Sequence, residues 1–190
     1  MSNFLDDIET CLRVLQNGGI ILYPTDTIWG IGCDATNAEA VAKIYALKKR
    51  AEEKSMIVLL ANEKEIIRYI AHPDFTIFDY LVNVKKPTTV IYEGAIGLAK
   101  NVINNDGTVA IRITKDEFCN HLIKRFKKPI VSTSANFSGS ASPLVFPDIS
   151  TEIKNGVDYT VQHRQDDLLA TSPSAIIKWN KNGLPTIIRS

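Results

Sequence analysis

Side chains able to grip an anion recur directly after short apolar runs in this chain. The densest group is Ser132, Thr133, Ser134 and Asn136 within PIVSTSANFSG, residues 129–139. Ile130 and Val131 read as a buried strand, which puts these hydroxyls and this amide at a strand's carboxyl end, where open α/β sheets place ligands. A helix start just beyond would add free N–H groups suited to phosphate. The same residue types are the preferred caps and turn formers, so for any one of them alone a turn and an N-cap is the favoured explanation, and only the cluster argues for a site. Thr25, Asp26 and Thr27 form a second group on a loop that leaves the strand Ile20 to Tyr23 at Pro24. Lys48, Lys49 and Arg50 end a helix, with Lys54 and Ser55 soon after. The plain alternative there is a solvated basic helix end that satisfies the dipole.

Arg112 lies in VAIRIT, whose alternation puts Val109, Ile111 and Ile113 on one face and Ala110, Arg112 and Thr114 on the other. On an exposed face Arg112 is an ordinary surface arginine. On a covered face a carboxylate must meet it. Ser174 and Arg189, near the C-terminal end, complete the polar set, and cations with hydroxyls together point to an anionic ligand. Other chemistry has no motif: there is no GxxxxGK[ST], no GxGxxG after a strand, no HExxH and no GxSxG elbow. His72, His121 and His163 lack metal-ligand spacing, so no metal site is expected.

The elements that must position these residues alternate strand and helix. Leu5, Ile8, Leu12 and Leu15 predict a first helix capped by Ser2 or Asn3 and closed by Gly18-Gly19. Trp29 to Cys33 is a strand with Gly30 and Gly32 interleaved, explained by close approach of a ligand or by packing. Asn37 caps a helix whose last turn delivers Lys48, Lys49 and Arg50. Met56 to Ala61 is an apolar strand, Lys64 to Ile70 and Pro73 to Val82 read as helical, and Thr88 to Tyr92 and Thr108 to Ile113 are strands. Asp116 to Phe126 is an amphipathic helix leading into the strand at 130. A short helix near Ile149 to Asn155, a strand near Tyr159 to Val161 and a final hairpin, Ser174 to Trp179 and Thr186 to Arg189, turning at Asn182-Gly183, end the chain.

At 190 residues the chain fits one domain, and 22 basic against 21 acidic residues leave a net charge of +1, so any basic site must be local. Cys11, Cys33 and Cys119 are odd in number and widely spaced, which fits a reducing cytoplasm. The N-terminus has no signal-peptide pattern and no run approaches about 18 apolar residues, so neither secretion nor a membrane span is expected.

Four stretches together resemble the YrdC-like family of threonylcarbamoyl-AMP synthases: YPTDTIWGIGCDA at 23–35, LKKRAEEKS at 47–55, VAIRIT at 109–114 and PIVSTSANFSG at 129–139. The likeness runs from the first helix to IIRS at 187–190, one domain over 4–190, like the family's short branch. It implies an α/β fold with a twisted mixed or mostly parallel sheet around a cationic cavity and helices outside. It implies ATP, L-threonine and bicarbonate or CO2 as substrates, threonylcarbamoyl-AMP and pyrophosphate as products, and a downstream threonylcarbamoyl-transfer complex that modifies tRNA. Mg2+ would ride on the ATP phosphates. By motif, Thr25, Arg112 and Ser174 would hold threonine, and Lys48, Arg50, Ser132, Ser134, Asn136 and Arg189 would hold ATP, with no protein nucleophile assigned. The chain departs from the family pattern at Val84 to Lys86, at Leu59 and at Ala175. The competing readings are a non-catalytic double-stranded RNA or tRNA-binding module and a silent nucleotide-binding relative.

Overall fold

A computed structural model describes residues 4–49, 56–179 and 184–190. The expected caps at Ser2 or Asn3, the cations Arg50 and Lys54 with Ser55, and the turn at Asn182-Gly183 lie outside the described residues.

Local chemistry explains most element ends. Helix α1 (Leu5–Gln16) buries Ile8, Cys11, Leu12 and Leu15 on one face, and Gly18, at φ 68°, carries the chain away from it. Strands β1 (Ile21–Tyr23) and β2 (Gly30–Gly32) flank the Thr25–Thr27 loop. Helix α2 (Ala38–Lys48) starts where Asn37 accepts the N–H groups of Glu39 and Ala40, and it ends at Lys49 in the left-handed region. After β3 (Ile57–Leu60) the expected helix at Lys64 to Ile70 is a 3-10 helix, Glu63–Arg68, capped by Asn62, and α3 spans Thr76–Asn83. Then come β4 (Thr88–Tyr92), β5 (Val109–Ile113), α4 (Glu117–Phe126) with Asp116 capping Cys119 N–H, and β6 (Ile130–Ser134). A 3-10 turn at Phe146–Asp148, α5 (Thr151–Asn155), β7 (Tyr159–Thr160), β8 (Ala175–Trp179) and β9 (Pro185–Arg189) follow.

The strands form one sheet in the order β7-β1-β2-β6-β3-β5-β4-β8-β9. Three neighbouring pairs are parallel and five antiparallel, so the sheet is mixed rather than mostly parallel. Helices α1 and α4 pack on each other, α1 against β1 and α4 against β3. Their apolar residues, among them Ile8, Leu15, Phe118 and Leu122, belong to the same buried cluster as Val58, Ile111 and Val131 of the central strands.

One expectation fails after β6. The strand runs through Ser132, Thr133 and Ser134, and no helix starts beyond it. The carbonyls of Ser134 and Asn136, which a helix would offer to N–H groups four residues on, are taken by the Lys48 ammonium. The Asn136 amide donates to the carbonyls of Phe137 and Ser140 at 2.9 and 2.7 Å and closes a turn through Gly139, at φ 89°. Ser134 and Asn136 are therefore not helix caps.

Candidate functional site

Strand register assembles one polar surface. Paired residues face the same side of a sheet, and residues two apart on a strand do too. Gly30 pairs with Ser134, Ile57 pairs with both Ser132 and Ala110, and Ala110 pairs with Ile91. On β8 and β9, Ile176 pairs with Arg189. Arg112, two residues beyond Ala110, falls on the same side. These residues from seven strands line a cavity of about 380 Å3, joined by Thr27, Ile28 and Trp29 from the β1–β2 loop and by Ser142, Pro173 and Ser174. That volume is in the range of small-molecule sites.

Among the described residues, the cavity's charge comes from two arginines. Arg112 is 3% exposed, so VAIRIT presents it to a covered face and the required carboxylate exists: Asp26 Oδ1 stands 3.1 Å from Arg112 Nη2. This is ion-pair proximity without hydrogen-bond alignment, because Arg112 Nε and Nη2 have no hydrogen-bond acceptor among the described residues. Arg189 donates from Nε and Nη2 to the Ser174 carbonyl at 3.1 and 2.8 Å. Burial and the Arg112 charge hold the Arg189 guanidinium below its ordinary pKa. Ser174 is buried and its hydroxyl lies 2.8 Å from that of Thr89. Among the described lining residues there is no Asp, Glu, His, Cys or Lys. The wall can bind, orient and stabilise negative charge, while proton transfer by a side chain is not built into it.

Arg112, Ser132, Ser134, Ser174 and Arg189 therefore come together as one lining, and Thr25, Lys48 and Asn136 stand outside it. Thr25 is buried: its hydroxyl donates to the Ile28 carbonyl at 2.8 Å and accepts the Thr27 N–H at 3.0 Å, folding the loop that presents Thr27 and Ile28. Lys48 is 1% exposed, which overturns the solvated helix end. Its ammonium reaches across from α2 to the end of β6. Asn136 lines a separate cavity of about 350 Å3 with Ser140, Pro143 and Asp148. The two glycines of β2 differ in their reasons. A Cβ on Gly32 would sit 2.5 Å from the Val131 carbonyl, a packing demand, whereas on Gly30 it would meet the Ser132 hydroxyl at 3.1 Å beside the cavity.

Thr27, on the loop the sequence singled out as a second candidate site, and Gly30, where approach by a ligand or packing was left open, both line the cavity, while Asp26 of the same loop pairs with Arg112, a role the sequence had not assigned to it. The signal for Asp26 was present, since a buried arginine needs a counter-charge and Asp26 is the acid of the Thr25–Thr27 loop. A further cavity of about 420 Å3 opens between α3 and the β4–β5 strands, floored by Phe78, Leu81, Val84, Pro87 and Ile113. Its rim carries two lysines and two acids, Lys86, Lys115, Asp26 and Glu63, so it lacks the cationic bias of the first. The three thiols are buried and free, and burial raises the pKa of each, so none is an activated nucleophile. No group of three metal-ligating side chains occurs among the described residues, nor is any helix there long and apolar enough to cross a membrane.

Known proteins share this fold. The threonylcarbamoyl-AMP synthase of Pseudoalteromonas translucida is 30% identical over 174 residues, 89% of this chain and 91% of that protein. The crystal structure of P. abyssi Sua5 complexed with L-threonine matches the fold with a TM-score of 0.83 at 20% identity, over 96% of this chain. The chain spans about half of that protein, 53% of its length. E. coli YciO matches with a TM-score of 0.82 at 19% identity, over 97% of this chain and 89% of its own. The Sua5/YciO/YrdC family model, described as telomere recombination, fits residues 13–190, and on this extent of agreement the chain belongs to that family.

Proposed function

We propose that the protein is an L-threonylcarbamoyladenylate synthase, forming threonylcarbamoyl-AMP and pyrophosphate from ATP, L-threonine and bicarbonate or CO2. The observation that carries this reading is Arg112. It is a buried guanidinium whose charge is countered by Asp26 while its Nε and Nη2 hydrogens have no acceptor among the described residues. Such a group suits a carboxylate, which accepts two parallel N–H bonds from one guanidinium.

In this reading Arg112 takes the threonine carboxylate with Ser174 beside it, and Ser132, Ser134 and Arg189 hold ATP. Thr25, Lys48 and Asn136 serve from behind the wall, Thr25 by shaping its loop and the other two by fixing the end of β6. Arg50 keeps its assignment to ATP from the sequence. The threonine amine adds to CO2, losing a proton to give a carbamate. A carbamate oxygen then attacks the α-phosphorus, a P–O bond forms, and the bond to the departing pyrophosphate breaks. No protein nucleophile is required, which fits a lining without carboxylate, imidazole or thiol. Alignment of bound reactants can lower such a barrier by roughly 7–11 kcal/mol. Arg189 stabilises charge that grows on the phosphates. Mg2+ would travel on those phosphates, and a downstream transferase would carry the threonylcarbamoyl group to tRNA in the cytoplasm. A module that only binds double-stranded RNA or tRNA would need an extended basic face. Here basic and acidic residues number 22 and 21, and the arginines sit inside the cavity.

The test is incubation with ATP and Mg2+ while following pyrophosphate. Release that requires both L-threonine and bicarbonate supports the synthase; binding of ATP without release identifies a silent relative.

A further inference from the structure

We infer that Asp26 is a positioning residue that holds Arg112 in its carboxylate-gripping orientation before any substrate arrives. The inference rests on the proposed threonine role of Arg112 and names what sets that role up.

Three observations carry it. Asp26 provides the ion pair recorded for Arg112 among the described residues, yet it does not line the substrate cavity that Arg112 lines. It therefore acts through Arg112 and not on the ligand. Its carboxylate is itself tethered, because Oδ2 accepts the Lys115 N–H at 3.3 Å, just past the end of β5. The residues on either side are pinned too. The Thr25 carbonyl accepts Arg164 Nη2 at 3.0 Å, and the Thr27 carbonyl accepts the Thr171 hydroxyl. The Asp26 carboxylate is thus fixed by contacts that need no ligand.

Electrostatics favours the same placement. Arg112 is buried and lines the same cavity as Arg189, whose guanidinium burial and the Arg112 charge hold below its ordinary pKa. Without a negative neighbour, desolvation and repulsion from Arg189 would both drive Arg112 away from this position. Asp26 opposes both effects. Because its Oδ1 lies close to Nη2 without aligned hydrogen bonding, it neutralises charge while leaving Arg112 N–H groups for an incoming carboxylate. A stronger, bidentate partner in the same place would compete with the substrate.

The test compares Asp26→Asn with Asp26→Glu in steady-state pyrophosphate release, with thermal melting recorded in parallel. Losing a charge-assisted contact corresponds to roughly a 10- to 100-fold rise in KM for L-threonine in Asp26→Asn, with KM for ATP changed less than about 2-fold. Asp26→Glu, which keeps the charge, should fall between that variant and the parent. A threonine KM left unchanged in folded Asp26→Asn, or equal losses for both substrates, overturns the inference. If Asp26→Asn does not fold, the same split is read from Asp26→Glu, where a selective threonine loss supports positioning and an equal or absent effect overturns it. A readout free of turnover separates this from the function itself. The Arg112 Nε–H resonance, assigned by its loss in Arg112→Lys, should shift or broaden in the Asp26 variants without any substrate present. An unmoved resonance overturns the positioning role, whereas a parent enzyme that never uses threonine overturns the synthase reading.

Discussion

The Lys48 ammonium, at the last turn of α2, donates to the backbone carbonyl of Ser134 at the far end of β6, and to that of Asn136 as well. One buried cation thereby fixes where the Ser132–Ser134 wall stops and the Asn136 turn begins. Lys48→Met keeps the apolar stem but leaves the Asn136 carbonyl without its donor, at a cost of about 1–3 kcal/mol for a buried group left unsatisfied, while the Ser134 carbonyl still accepts the Asn136 N–H at 2.9 Å. A lower melting temperature together with a raised KM for ATP is the expected pair of effects. Unchanged melting would show that the contact does not hold β6.

Arg112→Lys replaces a two-pronged donor by a point charge and should raise the KM for L-threonine by about 10-fold or more, with KM for ATP little altered. Calorimetric titration of each substrate into the folded variant checks this. Equal weakening of both would assign Arg112 to the cavity's general field rather than to threonine.

The paired glycines of β2 should separate packing from binding. Gly32→Ala drives a Cβ toward the Val131 carbonyl, 2.5 Å away, and overpacking of this kind costs about 1–3 kcal/mol. Gly30→Ala meets the Ser132 hydroxyl at 3.1 Å and should melt closer to the parent while losing more ATP affinity. Melting curves and ATP titrations of the two variants give the comparison directly.

Burial raises the pKa of Cys11, Cys33 and Cys119, because desolvation disfavours the thiolate. The thiolate is the reactive form, so raising its pKa leaves less of it at pH 8. The native protein should resist a thiol-specific disulfide reagent at that pH, and all three thiols should react once it is unfolded. Rapid labelling of the folded chain would contradict their burial.

Much of this site was legible because local rules and tertiary packing agreed. Alternation in VAIRIT put Arg112 on the side that proves covered, and the covered-face argument demanded the carboxylate that Asp26 supplies. Asn37 and Asp116 marked helix starts because their side chains take N–H groups no other partner serves. Lys48 was illegible as a buried residue, since helical periodicity cannot show that a neighbouring strand end will cover the helix terminus. The helix expected after Ser134 failed for the same reason. Residues that prefer caps also prefer tight turns, and the long-range Lys48 contacts decided between them. Strand order was beyond reach too: β7 and β8 are consecutive in sequence, with six strands between them in the sheet. Arg189 reaches the cavity only because β8 and β9 join that far edge.

The central claim is that this cavity joins threonine, a carbon from bicarbonate and an adenylate. Mass spectrometry of the product made from 13C-bicarbonate, L-threonine, ATP and Mg2+ tests it most directly. The expected product is an adenylate of threonylcarbamoyl-AMP mass that carries the isotope, forms in step with pyrophosphate and is lost with Arg112→Lys at low threonine. Pyrophosphate release with no labelled adenylate, or an unlabelled threonyl adenylate in its place, would contradict it.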